Sequence, residues 1–282
     1  ELRGPSASDA HHNFVQRWNE AGERARDDGV WPDAKRQTQL AFPLAASPAA
    51  GATPVQLQRT VHKDRYTDGT AAPDAPAYDI AGGESSVFEQ YCAAIDAANR
   101  TIYIENQYIA APKIVAKLAD ALARGVDVIY LAPTDPEERV RAARTKAEAK
   151  AFFDALAALG NHDNFLLAGI AATQPDGTLR SVYVHAKIMV VDDAWGTIGS
   201  TNIANQSFFC DTELNASFWD ETIARGLRVQ LFDEHLAADT KALDDRAALK
   251  HFFDVARANT QARARGEPMN GHAFALDPAK YA

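Results

Sequence analysis

The stretch over 86–132 limits the fold more than any other part of the chain. Phe88, Tyr91, Cys92 and Ile95 recur at the i, i+3, i+4, i+7 spacing of an amphipathic helix, and Ser86 with Glu89 has capping-box spacing at its start. A strand is expected over 101–105 and a second helix over 113–124 with Gly125 as its C-cap; 126–132 then reads as a short apolar strand buried on both faces. Strand, helix and strand in that order make a parallel pair covered by its crossover helix. The expected fold class is therefore α/β: an α/β/α sandwich with a mixed, mostly parallel sheet flanked by helices.

The flanking segments read less sharply. A helix is expected over 8–26, with Ser8 as N-cap and Phe14, Trp18 and Ala21 on one side, followed by a Pro- and Ala-rich surface connection over 32–54. Val55, Leu57, Arg59 and Val61 alternate as in a strand, and 62–84 is a long loop carrying Pro73, Pro76, Gly82 and Gly83. A helical region over 137–159 precedes strands over 165–170, 181–191, 196–199 and 213–218, with turns at 175–177 and 192–195. Asp220 caps a helix running to about 236, and one more helix follows residue 246. No internal repeat divides the chain, so 1–282 reads as a single lobe with its long loop at about 62–84.

Charge and composition narrow the function classes. Twenty-nine Lys and Arg face 38 Asp and Glu, a net charge of -9, which disfavours nonspecific attraction to nucleic acid. Cys92 and Cys210 are too few for a disulfide framework or a zinc cluster, and two isolated buried thiols are the plain reading. His62, Asp64 and Asp68 sit in the long loop at spacings that ordinary loop polarity explains, so neither metal nor cofactor is expected. With no apolar stretch near the ~20 residues that cross a bilayer and no signal-like start, the chain reads as a soluble body, bacterial and a candidate for secretion. Its first residues, Glu1-Leu-Arg-Gly-Pro5, lack an initiator Met, as a processed product would.

The chemistry concentrates in Val184-His185-Ala186-Lys187-Ile-Met-Val-Val-Asp192, followed by Gly199-Ser200-Thr201-Asn202. Residues two apart on a strand share a face, so His185 and Lys187 are expected to project together, joined by Ser200 and Asn202 if that segment is extended. Imidazole, ammonium, amide and hydroxyl converging on one spot suit a phosphate ester. A lone His is more often structural and a lone Lys usually solvated. The joint spacing is what gives the signal weight.

In that spacing the chain resembles the phospholipase D superfamily, whose HKD motif reads His-x-Lys-x4-Asp-x6-Gly-Ser-x-Asn; every interval matches from His185 through Lys187, Asp192, Gly199 and Ser200 to Asn202. Gly4-Pro5, Phe14 and Arg17-Trp18-Asn19 resemble the segment that follows the first motif of two-motif members, while Arg59-Thr60-Val61, residues 102–108 and Asp211-Thr-Glu213 resemble second-half landmarks. The likeness covers nearly the whole chain. Only one motif is present, since His62-Lys63-Asp64 has the wrong spacing and none of the other histidines has a Lys two residues on.

The resemblance implies a pair of HKD motifs meeting at a pseudo-twofold axis at one edge of the sheet, with one histidine attacking phosphorus to form a phosphohistidine and the other protonating the leaving alcohol. By this likeness His185 is the general acid, then the base that activates water or an alcohol. Lys187 and Asn202 bind the non-bridging oxygens, Ser200 hydrogen-bonds within the pocket, and Glu213 orients the imidazole. Asp192 belongs to the motif but is assigned the following turn, and Glu105, Asn106 and Gln107 are candidates to line the substrate site. The other motif is expected from a partner, either a separate chain of the same precursor or a second copy of this chain. The leading expectation is hydrolysis and transphosphatidylation of glycerophospholipids at a membrane or micelle surface, releasing phosphatidic acid and a head group, with no nucleic acid partner. The alternatives are a phosphatidyltransferase of the cardiolipin or phosphatidylserine synthase kind, a homodimeric HKD nuclease, and a noncatalytic lobe that binds phospholipid.

Overall fold

A computed structural model describes residues 1–21 and 39–281. In chain order, helix α1 (Pro5–Asn19) is followed by β1 (Val55–Val61), β2 (Glu84–Ser85), α2 (Ser86–Ala97), β3 (Thr101–Asn106), β4 (Ile109–Ala110), α3 (Pro112–Ala123) and β5 (Asp127–Leu131). Then come α4 (Glu138–Arg144), α5 (Lys150–Leu159), β6 (Phe165–Thr173), β7 (Leu179–Ser181), β8 (Lys187–Val191) and β9 (Trp195–Gly199). The chain closes with β10 (Ile203–Ala204), α6 (Asn205–Phe209), β11 (Glu213–Trp219), α7 (Glu221–Leu236), α8 (Asp245–Ala264) and β12 (Ala273–Ala275).

One large sheet runs β12-β6-β5-β3-β8-β9-β11-β1-β2, with β7 attached to β6. The α/β class holds, and helices flank both faces. The balance of directions differs from the expectation: only β3–β5 and β5–β6 are parallel within this sheet, where α3 and α5 serve as crossovers. The other pairs are antiparallel, because tight turns and a return of the chain bring β8, β9 and β11 together without a crossover helix.

Two apolar layers sandwich the sheet. On one face Ile102, Ile104, Val128, Tyr130 and Met189 pack against Tyr91 and Ile95 of α2, Leu118 of α3 and Leu156 of α5. On the other, Tyr103, Ile129, Leu131 and Val190 meet Phe232 of α7 and Phe252 of α8. All six residues of β3 are buried, the mark of a strand covered on both sides. Gly125 ends α3 at φ 84°, with Val126 N–H reaching Ala121 O at 3.1 Å and Gly125 N–H reaching Leu122 O at 3.0 Å, a closure that needs a left-handed residue.

Several local expectations shift. Helix α1 begins at Pro5 rather than Ser8, and residues 22–26 and 32–38 of the expected helix and connection lie outside the described residues. Its buried face is polar, carrying Ser8, His12 and Gln16 alongside Val15, while Phe14 is 56% exposed and stacks on Trp18. The polar face is used: His12 Nε2 lies 2.7 Å from Thr70 O and Gln16 Nε2 donates to Asp68 O at 2.6 Å, tying the loop over 62–84 to α1. Ser86 does not cap α2; its hydroxyl accepts from Arg59 N and donates to Glu84. Both cysteines are free, but neither is fully buried as expected: Cys92 is half-buried and Cys210 exposed. No helix among the described residues is long and apolar enough to cross a membrane.

Asp192 is the pin of the central strands. With Asp193 it adopts positive φ (54° and 52°) in the three-residue turn 192–194 between β8 and β9, closed by Ala194 N–H to Val191 O at 3.0 Å. Its carboxylate accepts from Asn99 N, Arg100 N and Thr101 N at 2.9, 2.8 and 2.7 Å, fixing where β3 starts. Asp192→Ala removes three charge-assisted bonds and leaves a non-Asx residue at positive φ. A loss of about 2–4 kcal/mol is expected, read as a lower urea midpoint at unchanged slope.

Candidate active site

Strands β3 and β8 lie side by side in the middle of the sheet and run antiparallel, with Asn106 registered against Lys187. The end of one strand and the start of the other therefore coincide, and the candidate residues gather where the central strands end. Strand β8 also begins later than the sequence implies: residues 182–186 join no ladder, so His185 sits on an irregular lead-in two residues before it. The imidazole is exposed and stacks on Tyr183, ring centroids 6.2 Å apart.

Lys187 is the opposite case. It is 7% exposed, and its Nζ donates to Gln107 Oε1 at 3.0 Å and to the backbone oxygen of His185 at 2.8 Å. Among the described residues no carboxylate stands within ion-pair distance of this ammonium. Burial lowers its pKa, and the fields of Glu213 and Glu137 only partly oppose the shift.

Fully buried Asn106 fastens the second motif segment to this point. Its Nδ2 donates to Thr201 O at 3.2 Å, and its Oδ1 accepts from Ile203 N at 3.0 Å and Tyr108 N at 3.1 Å. The parallel bridge of β10 to β4 continues the same strap. Asn202, held between the two tethered residues, presents a buried Oδ1 with no hydrogen-bond partner.

Gly199 lets the preceding strand come in close. A Cβ there would stand 2.0 Å from Asn215 Oδ1 and 2.6 Å from Leu214 O, and Asn215 Oδ1 in turn accepts from Thr201 Oγ1 at 2.7 Å. Ser200 N donates to Leu214 O at 3.0 Å and its hydroxyl accepts from Leu214 N at 3.1 Å, while the same hydroxyl donates to Glu213. Glu213 is thus engaged with Ser200, and no hydrogen bond joins it to His185. Burial raises the Glu213 pKa, with the Ser200 and Ser207 hydroxyls and the Lys187 charge working against the rise.

Two of the named residues lie elsewhere. Glu105 alternates to the opposite face of β3, 5% exposed, where it accepts from Tyr103 Oη at 2.6 Å and meets His235 Nε2 at 3.1 Å; it does not line the His185 side. Asp192 sits at the far end of β8, so its motif position reflects the turn and the start of β3. Gln107 does belong to the cluster, and it leads to groups that spacing did not reveal. Its Nε2 donates to Glu137 Oε1 and to Tyr183 Oη, both at 2.7 Å, and Tyr183 Oη donates to Glu137 at 2.9 Å. Tyr108 Oη also donates to Glu137 and accepts from Arg139 Nε at 2.9 Å. The Tyr108 and Tyr183 hydroxyls hold the Glu137 carboxyl below its ordinary pKa. These groups come from separate segments, and the one signal in sequence was Tyr183, two residues before His185.

An exposed imidazole two residues from a buried ammonium that has no counter-ion among the described residues is arranged to receive an anionic oxygen rather than a neutral group, whereas the unpaired Asn202 Oδ1 is an acceptor that only a hydrogen-bond donor can satisfy. Two variants test this electrostatic reading. Because burial depresses the folded pKa of Lys187, the desolvation cost is present at neutral pH and is relieved as pH rises through that folded pKa. Lys187→Met is therefore expected to stabilise the fold by about 1–2 kcal/mol near pH 7, an advantage that shrinks at alkaline pH, as read by urea denaturation across pH. Gly199→Ala should cost about 2–4 kcal/mol by the same assay, since β9 must move off β11.

A family model described as a cardiolipin synthase, PLD-like domain matches residues 91–236, just over half of the chain, and one described as phospholipase D matches residues 1–120. A cardiolipin synthase of Staphylococcus aureus strain Mu50 is 27% identical over 198 residues, 68% of this chain and 36% of its own length. Cardiolipin synthase 1 of Staphylococcus epidermidis strain RP62A is 28% identical over 186 residues, 64% of this chain and 34% of its own. The chain thus spans about a third of the length of these relatives. Among solved structures, Nuc from Salmonella typhimurium, a phospholipase D family member, aligns with a TM-score of 0.40 at 21% identity, over 62% of this chain and 90% of Nuc. The span of the first family match includes His185, Lys187, Asn202 and Glu213, and the chain belongs to the phospholipase D superfamily.

Proposed function

We propose that residues 1–282 form one HKD lobe that supplies His185 to a composite site cleaving the phosphodiester of glycerophospholipids through a phosphohistidine. The observation that carries this reading is the buried Lys187 ammonium, held by an amide and a backbone carbonyl with no carboxylate among the described residues in ion-pair reach. Such a charge is costly until an anion arrives, and a phosphodiester oxygen is the anion that His185 could act beside.

In the proposed sequence the partner lobe's histidine attacks phosphorus and the head-group oxygen leaves with the proton of His185. His185, now neutral, takes a proton from water or from an acceptor alcohol, whose oxygen displaces the phosphohistidine. Lys187 and Asn202 hold the non-bridging oxygens as charge builds in the five-coordinate transition state. Asn106 positions Asn202, Gln107 and Glu137 position Lys187, and Glu213 acts through Ser200. Nothing in this sequence of steps requires a metal or a cofactor.

The same intermediate serves hydrolysis and phosphatidyl transfer. The cardiolipin synthase relatives favour transfer to an alcohol, while the expectation from the motif landmarks is hydrolysis with transphosphatidylation. Product analysis with phosphatidylglycerol or phosphatidylcholine vesicles, with and without glycerol, separates them: a new phosphatidyl ester supports transfer, phosphatidic acid alone supports hydrolysis, and neither product overturns the lipid reading. Cleavage of single-stranded DNA in place of lipid would move the activity to nucleic acid.

His185→Ala is expected to lower turnover by about 10²–10⁴-fold while circular dichroism and urea midpoint stay unchanged. Near-normal turnover in that variant removes His185 from the chemistry. Intact mass of an active preparation identifies the partner: a second polypeptide supports a separate lobe, and this chain alone as a dimer supports a pair of copies.

A further inference from the structure

His185 carries the proton in the proposed sequence of steps, yet nothing polar holds its ring. Among the described residues its side chain makes no hydrogen bond or ion pair, and Glu213, the carboxylate expected to orient it, is engaged by Ser200 instead. An exposed imidazole without a partner samples several rotamers, whereas a general acid must stand within hydrogen-bond reach of the leaving oxygen. Some other group has to fix it.

Tyr183 is placed to do so. Val184 is 4% exposed and belongs to the apolar layer under α7 and α8, so the residues on either side of it, Tyr183 and His185, turn outward together. Their rings lie with centroids 6.2 Å apart and 23° between planes, an offset stack within the range of about 4.5–7 Å usual for aromatic pairs. It is the one ring contact of this imidazole among the described residues.

Tyr183 is itself tethered, although its ring is 50% exposed. Its hydroxyl donates to Glu137 Oε1 at 2.9 Å and accepts from Gln107 Nε2 at 2.7 Å, two bonds from separate segments that fix the far end of the ring. At the backbone end, Val182 N–H reaches Ile170 O at 2.9 Å and anchors the lead-in to β6. Because Gln107 Oε1 also accepts from Lys187 Nζ at 3.0 Å, one amide joins the aromatic platform to the ammonium, and the two groups with chemistry share a frame. Donation of the hydroxyl proton to a carboxylate enriches the ring in electrons, and an electron-rich face attracts an imidazolium. We propose that Tyr183 is the positioning residue of His185: its ring, pinned by Glu137 and Gln107, holds the imidazole in the orientation that delivers a proton to the leaving oxygen. This role rests on His185 as the acid of the phosphodiester chemistry above, and it gives an aromatic ring the duty expected of Glu213.

The test follows the purified active assembly through its first turnover on two diesters that share the phosphatidyl group, phosphatidylcholine and phosphatidyl-p-nitrophenol. In both, a nitrogen of the partner lobe's histidine bonds to phosphorus as the P–O bond to the leaving group breaks. Choline leaves as an alcohol and needs the proton of His185, whereas p-nitrophenolate departs without one. A disturbance of Lys187 lowers both rates alike, since the non-bridging oxygens are the same, so the ratio of the two rates isolates the acid. Tyr183→Leu is expected to lower the phosphatidylcholine rate relative to the p-nitrophenyl rate by about tenfold, and Tyr183→Phe, which keeps the ring, to restore most of that ratio. Circular dichroism checks that both variants are folded. In NMR spectra the His185 ring protons, identified by their disappearance in His185→Ala, are expected to move downfield in Tyr183→Leu as shielding by the neighbouring ring is lost. A ratio that Tyr183→Leu leaves unchanged, a Tyr183→Phe ratio as low as that of Tyr183→Leu, or His185 resonances that do not move would each overturn the proposal alone. Release of neither choline nor p-nitrophenol by the unaltered assembly would overturn the phosphodiesterase reading, and the role of Tyr183 with it.

Discussion

A primary ammonium buried at the junction of the two central strands is the constraint around which the rest of the molecule is organised. Lys187 begins β8 opposite the last residue of β3, and sheet packing on both faces denies it water. Only neutral oxygens satisfy it, so the fold carries an electrostatic cost that a core made for stability alone would avoid. Everything near it can be understood as holding that charge in place. Asp192 sets the register of β3 at one end, Asn106 straps the Asn202 segment at the other, and the Gln107–Glu137–Tyr183 network braces the ammonium from the loop side.

Strand geometry decides which neighbours share in this. Neighbouring Glu105 and Asn106 are both buried, yet alternation sends Asn106 to the Lys187 face and Glu105 into the opposite layer with Tyr103 and His235. Gly199 has a comparable logic, because the Gly-Ser step in the motif is where β9 and β11 approach too closely for any side chain. In this structure the motif glycine is a packing requirement and the motif aspartate a turn and strand-start requirement, leaving His185, Lys187 and Asn202 as the groups with chemistry to offer.

Much of this was legible in the amino-acid order, for definable reasons. The α/β class followed from the 3.6-residue period of α2 and the apolar run over 128–131 in β5, signals that depend on local pattern alone. The left-handed stop at Gly125, one residue past the Arg124 C-cap, the turn at Asp192-Asp193 and the cap at Asp220 were likewise readable, since each rests on one residue's backbone or side-chain preference. Pairing directions were not, because whether β8 returns beside β3 is a long-range choice that periodicity does not encode. For the same reason Glu137 and Arg139 escaped notice: they meet Gln107, Tyr108 and Tyr183 only after three segments fold together. The polar buried face of α1 defeated a hydrophobic-pattern reading, as its partners are backbone oxygens in the loop over 62–84.

As proposed, this lobe holds half of an anion site whose other half is a second HKD lobe. Vanadate, a phosphate analogue able to take a five-coordinate geometry, tests it most directly when bound to the purified active assembly and counted by equilibrium dialysis. About one tightly bound vanadate is expected for every two HKD lobes, lost in Lys187→Met and weakened in Asn202→Ala. One vanadate per lobe, or binding that Lys187→Met leaves unchanged, would contradict it.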